Sequence, residues 1–486
     1  AIKISGHRPE PFLEQIGSRR LFPLDEGSGM ASALLDKDGA VIDIVEILSR
    51  GDGDFIVLTK KDRERRLIEW FRGISDGYII FDEKDLMRKV EGPIVVESLS
   101  GGTEEDEESY LGPFPTDKLM KFFDLDDLSP GESCRGSWSE REFTVYRSEG
   151  NPEKSYLQTS SKLPLKEIEE MDIEAYRETK KTKEGVDLFR ERPDLFDLSK
   201  PYFVGQQLIE EKLDKEELPK SRKESFNFKS VKEDIKKTPI YEIHEELGAR
   251  TAEFAGYEMP FWYTTVTEEH RAVREAAGLF DVSHMGVYGV YGSNATEFLD
   301  LVTSNYVRWL KDNEAQYTYL LDENGRPLDD SMLYRIKEDH YLWVVNAANQ
   351  EKNWEWLEAV NDGEIMIDRN RPWVKPMART DLVNLKGPEA GEDALIDLAL
   401  QGPKSRLILS RLLDDEEKGK LMLMKKNQIY PFELMGVSSY VSQTGYTGEK
   451  IGYELLVPPE EAPMIFRSLL DKGEEEGIKP AGFRIN

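Results

Sequence analysis

Residues 317–346 read YTYLLDENGRPLDDSMLYRIKEDHYLWVVN. Apolar runs at 317–321, 331–336 and 341–346 predict three successive strands, with the acidic pair Asp329-Asp330 where a turn gives way to the second of them. Neighbouring residues of a strand face opposite ways, so only one of the two aspartates can share a face with Tyr334. That one is Asp330. A carboxylate at the mouth of an apolar site can accept a proton or stand against a developing cation. An Asp-rich hairpin turn accounts for the pair equally well on this stretch alone.

Working outward, the pattern is α+β. Strands are expected at 40–48 and 54–58 and a helix at 62–71, with further helices at 240–247, 268–277, 296–302 and 349–360. Thr238 as cap and Pro239 at the first helical position form a start signal for the helix at 240. The composition of KLDKEELPKSRKESFNFKSVKEDIKK, residues 212–237, is charged and lacks apolar periodicity. It divides the chain into a module of residues 1–215, a linker at 216–237 and a second module at 238–486.

Sliding the sequence against itself by 286 residues, without a gap, sets Leu34-Leu35-Asp36 on Leu320-Leu321-Asp322, Gly39 on Gly325, Asp43 on Asp329 and Glu69-Trp70 on Glu355-Trp356. Turn glycine, turn aspartate and helix tryptophan coincide at one offset, so the chain reads as a tandem of one module. The polar positions of the proposed site do not coincide. Ile44 stands against Asp330, Lys60 against Asn346 and Ala31 against Tyr317, the pattern of a catalytic copy joined to a degenerate one.

With 486 residues the chain exceeds what a single core supports. Its net charge of −30 opposes nucleic acid and anionic membrane surfaces alike. One cysteine, Cys134, rules out an intramolecular disulfide and a cysteine-rich zinc site. The 5 histidines show no ligand spacing. No apolar run approaches a membrane span, and the sequence AIKISGHRPEPF lacks a signal-peptide core, so a cytoplasmic location is expected.

From residue 238 onward, TPIYEIHEELGART, EFAGYEMPFWY, EEHRAVREAAGLFDVSHMG, the 317–330 run, VVNAANQEKNWEWL, LALQGPKS and QTGYTGEKIGYEL follow in the order found in the aminomethyltransferase family, the T-protein of the glycine cleavage system. Residues 1–215 resemble it loosely, through the repeat and through DLSKPYFVGQQLI. The resemblance implies a folate-binding fold of antiparallel sheets and helices. It implies that Asp330 is the catalytic carboxylate beside the folate nitrogens, that Tyr317, Tyr334 and Asn346 line the same cavity, and that Glu454 binds the pterin. Glu454 suits that task, since a carboxylate can receive a guanidine-like edge in two parallel hydrogen bonds. Glu449 ranks second for it, and Tyr446 and Met285 are expected as walls. Two positions depart from the family. Asn486 stands where the family has an arginine, and the family continues into a C-terminal barrel that is missing here or supplied by a second chain.

The implied activity is transfer of a lipoyl-bound aminomethyl group, carried by an H-protein, to tetrahydrofolate with release of ammonia, a mechanism that requires no metal. A tetrahydrofolate-dependent demethylase of a methylated amine, sulfonium or ether is the alternative. A non-catalytic folate-binding protein of the iron–sulfur maintenance type is a third reading, against which PYFVGQQ lacks that group's cysteines. A flavin enzyme is disfavoured because no G-x-G-x-x-G follows a first strand.

Overall fold

The computed structural model describes residues 1–486 apart from 22–23, 52, 82–89, 91, 100–108, 118–119, 121–127, 139–140, 160–182, 231–233 and 486. The chain forms two compact units, Ala1–Ser221 and Arg222–Asn486. The boundary falls inside the charged stretch, whose second half is attached to the second unit. There Lys223 Nζ donates to the Val374 carbonyl at 2.7 Å, and Glu224 bridges Ile365.

In the first unit, strands β1 (Ile2–Gly6), β2 (Gly29–Leu35), β3 (Val41–Ser49), β4 (Phe55–Leu58) and β5 (Ile94–Ser98) form a sheet of order β2-β3-β4-β1-β5. A second sheet, β6-β9-β8-β7, is built from β6 (Ser109–Pro115), β7 (Ser133–Trp138), β8 (Arg141–Arg147) and β9 (Lys154–Thr159). Helices Pro9–Ile16 and Glu64–Ser75 bury Phe12, Leu13, Leu67 and Phe71 against Ile4, Val45, Ile47 and Val57 of the first sheet.

The second unit opens with the helix Tyr241–Glu246, the hairpin β10 (Arg250–Phe254) and β11 (Tyr257–Trp262), the helix Val266–Glu275 and β12 (Gly278–Asp281). It continues through β13 (Gly286–Tyr291), β14 (Glu314–Leu321), β15 (Pro327–Lys337), β16 (His340–Val345) and β17 (Asp381–Asn384), in sheet order β14-β15-β16-β13-β17. Its other large sheet runs β19-β20-β21-β18-β12-β22, with β18 (Ile396–Gln401), β19 (Ile429–Leu434), β20 (Val437–Ser442), β21 (Gly452–Val457) and β22 (Lys479–Pro480). The Thr238 start signal is corrected. The helix begins at Tyr241, its cap Ile240 gives no side-chain hydrogen bond, and the Thr238 carbonyl closes a turn with the Tyr241 N–H at 3.1 Å. A side-chain cap is instead found at Thr265, whose hydroxyl accepts the Glu268 N–H at 3.2 Å.

The five-stranded sheets of the two units share one strand order. Helices Ala295–Val302 and Gln350–Asn361 lie 286 residues after Pro9–Ile16 and Glu64–Ser75, end to end. The hairpins β2–β3 and β14–β15 turn the same way. Asp36 Oδ1 accepts the N–H groups of Asp38 and Ala40, Asp322 Oδ1 those of Asn324 and Arg326, and Gly39 and Gly325 take the left-handed conformation at φ 76° and 73°. A register shift follows Leu34 in one and Leu320 in the other. In the first unit's second sheet β6 pairs with β9, which pairs with β8 and then β7, and the run β18-β21-β20-β19 of the second unit's six-stranded sheet has the same order, with β12 and β22 added beyond β18.

Alternation along β15 creates the two environments that matter for the site. Asp329, Ser331 and Leu333 are buried on the side packed by Phe298, Trp343 and Trp356, where Trp343 Nε1 donates to Ser331 Oγ at 2.8 Å. Asp330, Met332 and Tyr334 point the other way. There Tyr334, Leu342 and Val344 pack against Ile429 and Leu456 of the second sheet, so the two sheets of this unit meet face to face.

Candidate functional site

Asp329 and Asp330 divide two tasks between them. Buried Asp329 is an anchor, accepting at Oδ1 from the side chains of Asn346 (2.9 Å) and Asn349 (2.6 Å), and at Oδ2 from the Asn346 N–H (3.1 Å) and the Asn353 side chain (2.7 Å). These asparagines enter from the end of β16 and the helix that follows. Asp330 is exposed on the opposite face. Tyr317 OH donates to its Oδ2 at 2.9 Å, and Asn346 Nδ2 reaches its Oδ1 at 3.1 Å and its carbonyl at 2.9 Å. Tyr317, Asp330 and Asn346 are therefore one constellation, and the bond to Asp330, reinforced by Tyr319, pushes the Tyr317 phenol up so that it remains a donor.

A second constellation lies four residues along β15, about 13 Å at strand rise. Tyr334 OH donates to Glu454 Oε2 at 3.0 Å, the Thr444 hydroxyl donates to the same oxygen, and Thr444 contacts Ser442 Oγ at 2.9 Å. Glu454 Oε1 makes no hydrogen bond among the described residues, so half of this half-buried carboxylate is available to an outside donor. Burial raises the Glu454 carboxyl, and the hydroxyls of Thr444 and Tyr334 pull it back. Burial, with Glu454 and Asp397 behind it, pushes the Tyr334 phenol far up, which keeps it protonated.

Of the sequence-predicted walls, Met285 is half-buried and Tyr446 is exposed. Met285 packs between the core under Tyr334 and the cluster of Phe280 and Ala399, and Tyr446 lies edge-on to Phe280 at 5.9 Å. Glu449 is engaged in an ion pair with Arg274 of the helix Val266–Glu275. Asn486 lies outside the described residues. Sequence reasoning missed the anchoring of Asp329, for which the i, i+3, i+7 spacing of Asn346, Asn349 and Asn353 was the available signal. It also missed Thr444 and Asp397, for which there was none.

A sequence model of the GCVT N-terminal domain matches residues 240–485, half of the chain. The chain belongs to the aminomethyltransferase family. It is 40% identical over 259 residues to an aminomethyltransferase of Symbiobacterium thermophilum, covering 52% of this chain and 62% of that protein. It is 42% identical over 248 residues to one of Thermus thermophilus, covering 51% and 63%. Among solved structures, the glycine cleavage system aminomethyltransferase T of Bartonella henselae shares 31% identity at a TM-score of 0.43, over 52% of this chain and 61% of that one. The chain thus spans about three-fifths of the length of the aminomethyltransferases it resembles. Every candidate residue described above lies within the span matched by the family. Among the described residues no helix is long and apolar enough to cross a membrane.

The first unit fills the equivalent face differently. Where β15 presents Asp330, Met332 and Tyr334, β3 presents Ile44, Glu46 and Leu48. Buried Glu46 is satisfied within the unit by the hydroxyls of Tyr146 (2.9 Å) and Ser148 (2.5 Å) and by the Gly150 N–H (2.9 Å), and Leu48 packs on Tyr146. The anchor persists, since Asp43 accepts from Thr59 Oγ1 and has Arg63 at 3.6 Å, but Lys60 stands where Asn346 does.

Proposed function

We propose that the second unit binds tetrahydrofolate and moves a one-carbon unit onto it from the lipoyl-bound aminomethyl group of an H-protein, releasing ammonia. The observation that carries this reading is the placement of two carboxylates on the facing sides of the two sheets, Glu454 of β21 with an uncommitted oxygen between them and Asp330 of β15 at the exposed end, within a chain of the aminomethyltransferase family. A pterin presents adjacent N–H donors, and Glu454 Oε1 accepts from that edge while Tyr334 and Thr444 fix the other oxygen. Met285 and Tyr446 flank the ring. Asp330, oriented by Tyr317 and Asn346, stands beside the folate nitrogens and offsets the positive charge that develops as ammonia leaves, which a low-dielectric cleft makes costly without a partner.

The first unit, on this reading, is a copy of the same module that has lost the site. The common order of the five-stranded sheets and the hairpin turns at one sequence offset support descent from one fold, and Ile44, Glu46, Leu48 and Lys60 leave neither a counterpart of Asp330 nor an open carboxylate on the matching face. It serves assembly or the docking of a carrier. One observation favours the demethylase alternative, namely Asn486 at the end of GFRIN where the family resemblance calls for an arginine. Both are tested by incubating the full chain with tetrahydrofolate and either aminomethylated H-protein or methylated amines. Stoichiometric ammonia from the first supports the aminomethyl reading. Methyltetrahydrofolate from the second, without ammonia from the first, replaces it with the demethylase.

A further inference from the structure

Asp397 is the one aspartate of the described residues with both carboxylate oxygens buried and neither hydrogen-bonded, on a residue only 1% exposed. It sits on β18 opposite Leu456, and Glu454 is two residues from Leu456 on the same face of β21. Asp397 and Glu454 are therefore diagonal neighbours across one strand pair, about 7–8 Å apart at the backbone, on the inner face that also receives Tyr334. An ionised carboxylate without donors in such a place costs several kcal/mol, so a purely structural residue here would be apolar or amide.

We propose that Asp397 is a positioning residue for the folate-binding carboxylate, confining the pair it forms with Glu454 to a single negative charge and so restricting folate binding to the pH range in which Asp397 keeps its proton. This rests on the assignment of Glu454 to the pterin. The groups acting on Asp397 are Glu454 on β21, Asp281 on β12, the Tyr334 phenol on β15, and the nearby Leu455 backbone N–H, which alone favours its charge. Burial comes first in holding its carboxyl well above the usual carboxylate range, with Glu454 and Asp281 adding to it. A pterin seated on Glu454 removes the remaining water from the pair and makes a second charge costlier still. By linkage, affinity then falls as pH rises through the titration of Asp397.

The test is the dissociation constant of 5-formyltetrahydrofolate, an air-stable analogue, measured by calorimetry from pH 5.5 to about 9.5 for the full-length wild type, Asp397→Asn and Glu454→Gln. Asparagine has the shape of the neutral acid and cannot ionise. Wild type and Asp397→Asn should agree within about threefold near pH 6, and above the titration wild type alone should lose up to about tenfold per pH unit. A folded pKa above the unfolded one also means that stability is lost as pH rises between the two. The melting temperature of Asp397→Asn should therefore exceed that of wild type by a margin that widens from pH 5 upward. A wild-type affinity that stays flat, or an alkaline loss kept by Asp397→Asn, overturns the inference and leaves the folate reading standing. Binding by Glu454→Gln equal to wild type at every pH overturns that reading and the inference with it.

Discussion

Replacing Asp329 by alanine removes one acceptor from four donors. The Asn353 amide is fully buried, so its loss carries the full penalty of an unsatisfied donor that had faced a charge, about 2–3 kcal/mol. The side chains of Asn346 and Asn349 and the Asn346 N–H are partly exposed and recover water, at about 0.5 kcal/mol each. The sum is roughly 3–5 kcal/mol, a large share of the about 5–15 kcal/mol that holds a domain together. Urea unfolding of the full chain, followed in the transition that reports the buried Trp343 and Trp356, should show this as a lower midpoint with an unchanged slope. Asn346 loses the partner that aims it at Asp330, so turnover should fall even without denaturant, where the protein is folded. A destabilisation below about 1 kcal/mol would refute the claim that Asp329 anchors the asparagine array.

Glu454→Gln should weaken tetrahydrofolate binding by about 1–3 kcal/mol, roughly 5- to 150-fold, because a charge-assisted contact becomes a neutral one. Calorimetry checks this, and an unchanged constant would move the pterin elsewhere. The same titration should give one folate per chain, since Glu46 of the first unit is already satisfied by Tyr146, Ser148 and Gly150, whereas two would show a working site there. Cys134→Ser should keep full activity and the same resistance to mild oxidation, because the cysteine lies half-buried on β7 of the first unit with no second cysteine to resolve an oxidised form.

Local sequence carried much of this architecture because the hairpins are local. The turn aspartates Asp36 and Asp322 and the glycines behind them mark the same β-turn twice, and strand alternation was enough to put Asp330 with Tyr334 and Asp329 away from both. What alternation could not show is what Asp329 meets on the other side, which depends on a helix entering after β16. The pairing of Tyr334 with Glu454 spans 120 residues, and that of Asp397 with Glu454 depends on the register of β18 against β21. Neither follows from any local pattern. Glu449 and Glu454, both in one motif, were separated only by the ion pair with Arg274, and Thr238 looked like a cap because propensity says nothing about the turn that precedes the helix.

The central claim is that Asp330 acts on the reacting folate nitrogens while Glu454 holds the ring. The most direct measurement is Asp330→Asn in the full chain, with ammonia release from aminomethylated H-protein and the tetrahydrofolate dissociation constant taken on the same preparation. Asparagine still receives the Tyr317 hydroxyl and keeps the side chain's size, but it supplies neither the charge nor the proton acceptor. Turnover should fall by roughly 10² or more while the dissociation constant moves by no more than a few-fold. Near-normal turnover would remove Asp330 from the chemistry, and lost binding with turnover intact at saturation would exchange the roles of the two carboxylates.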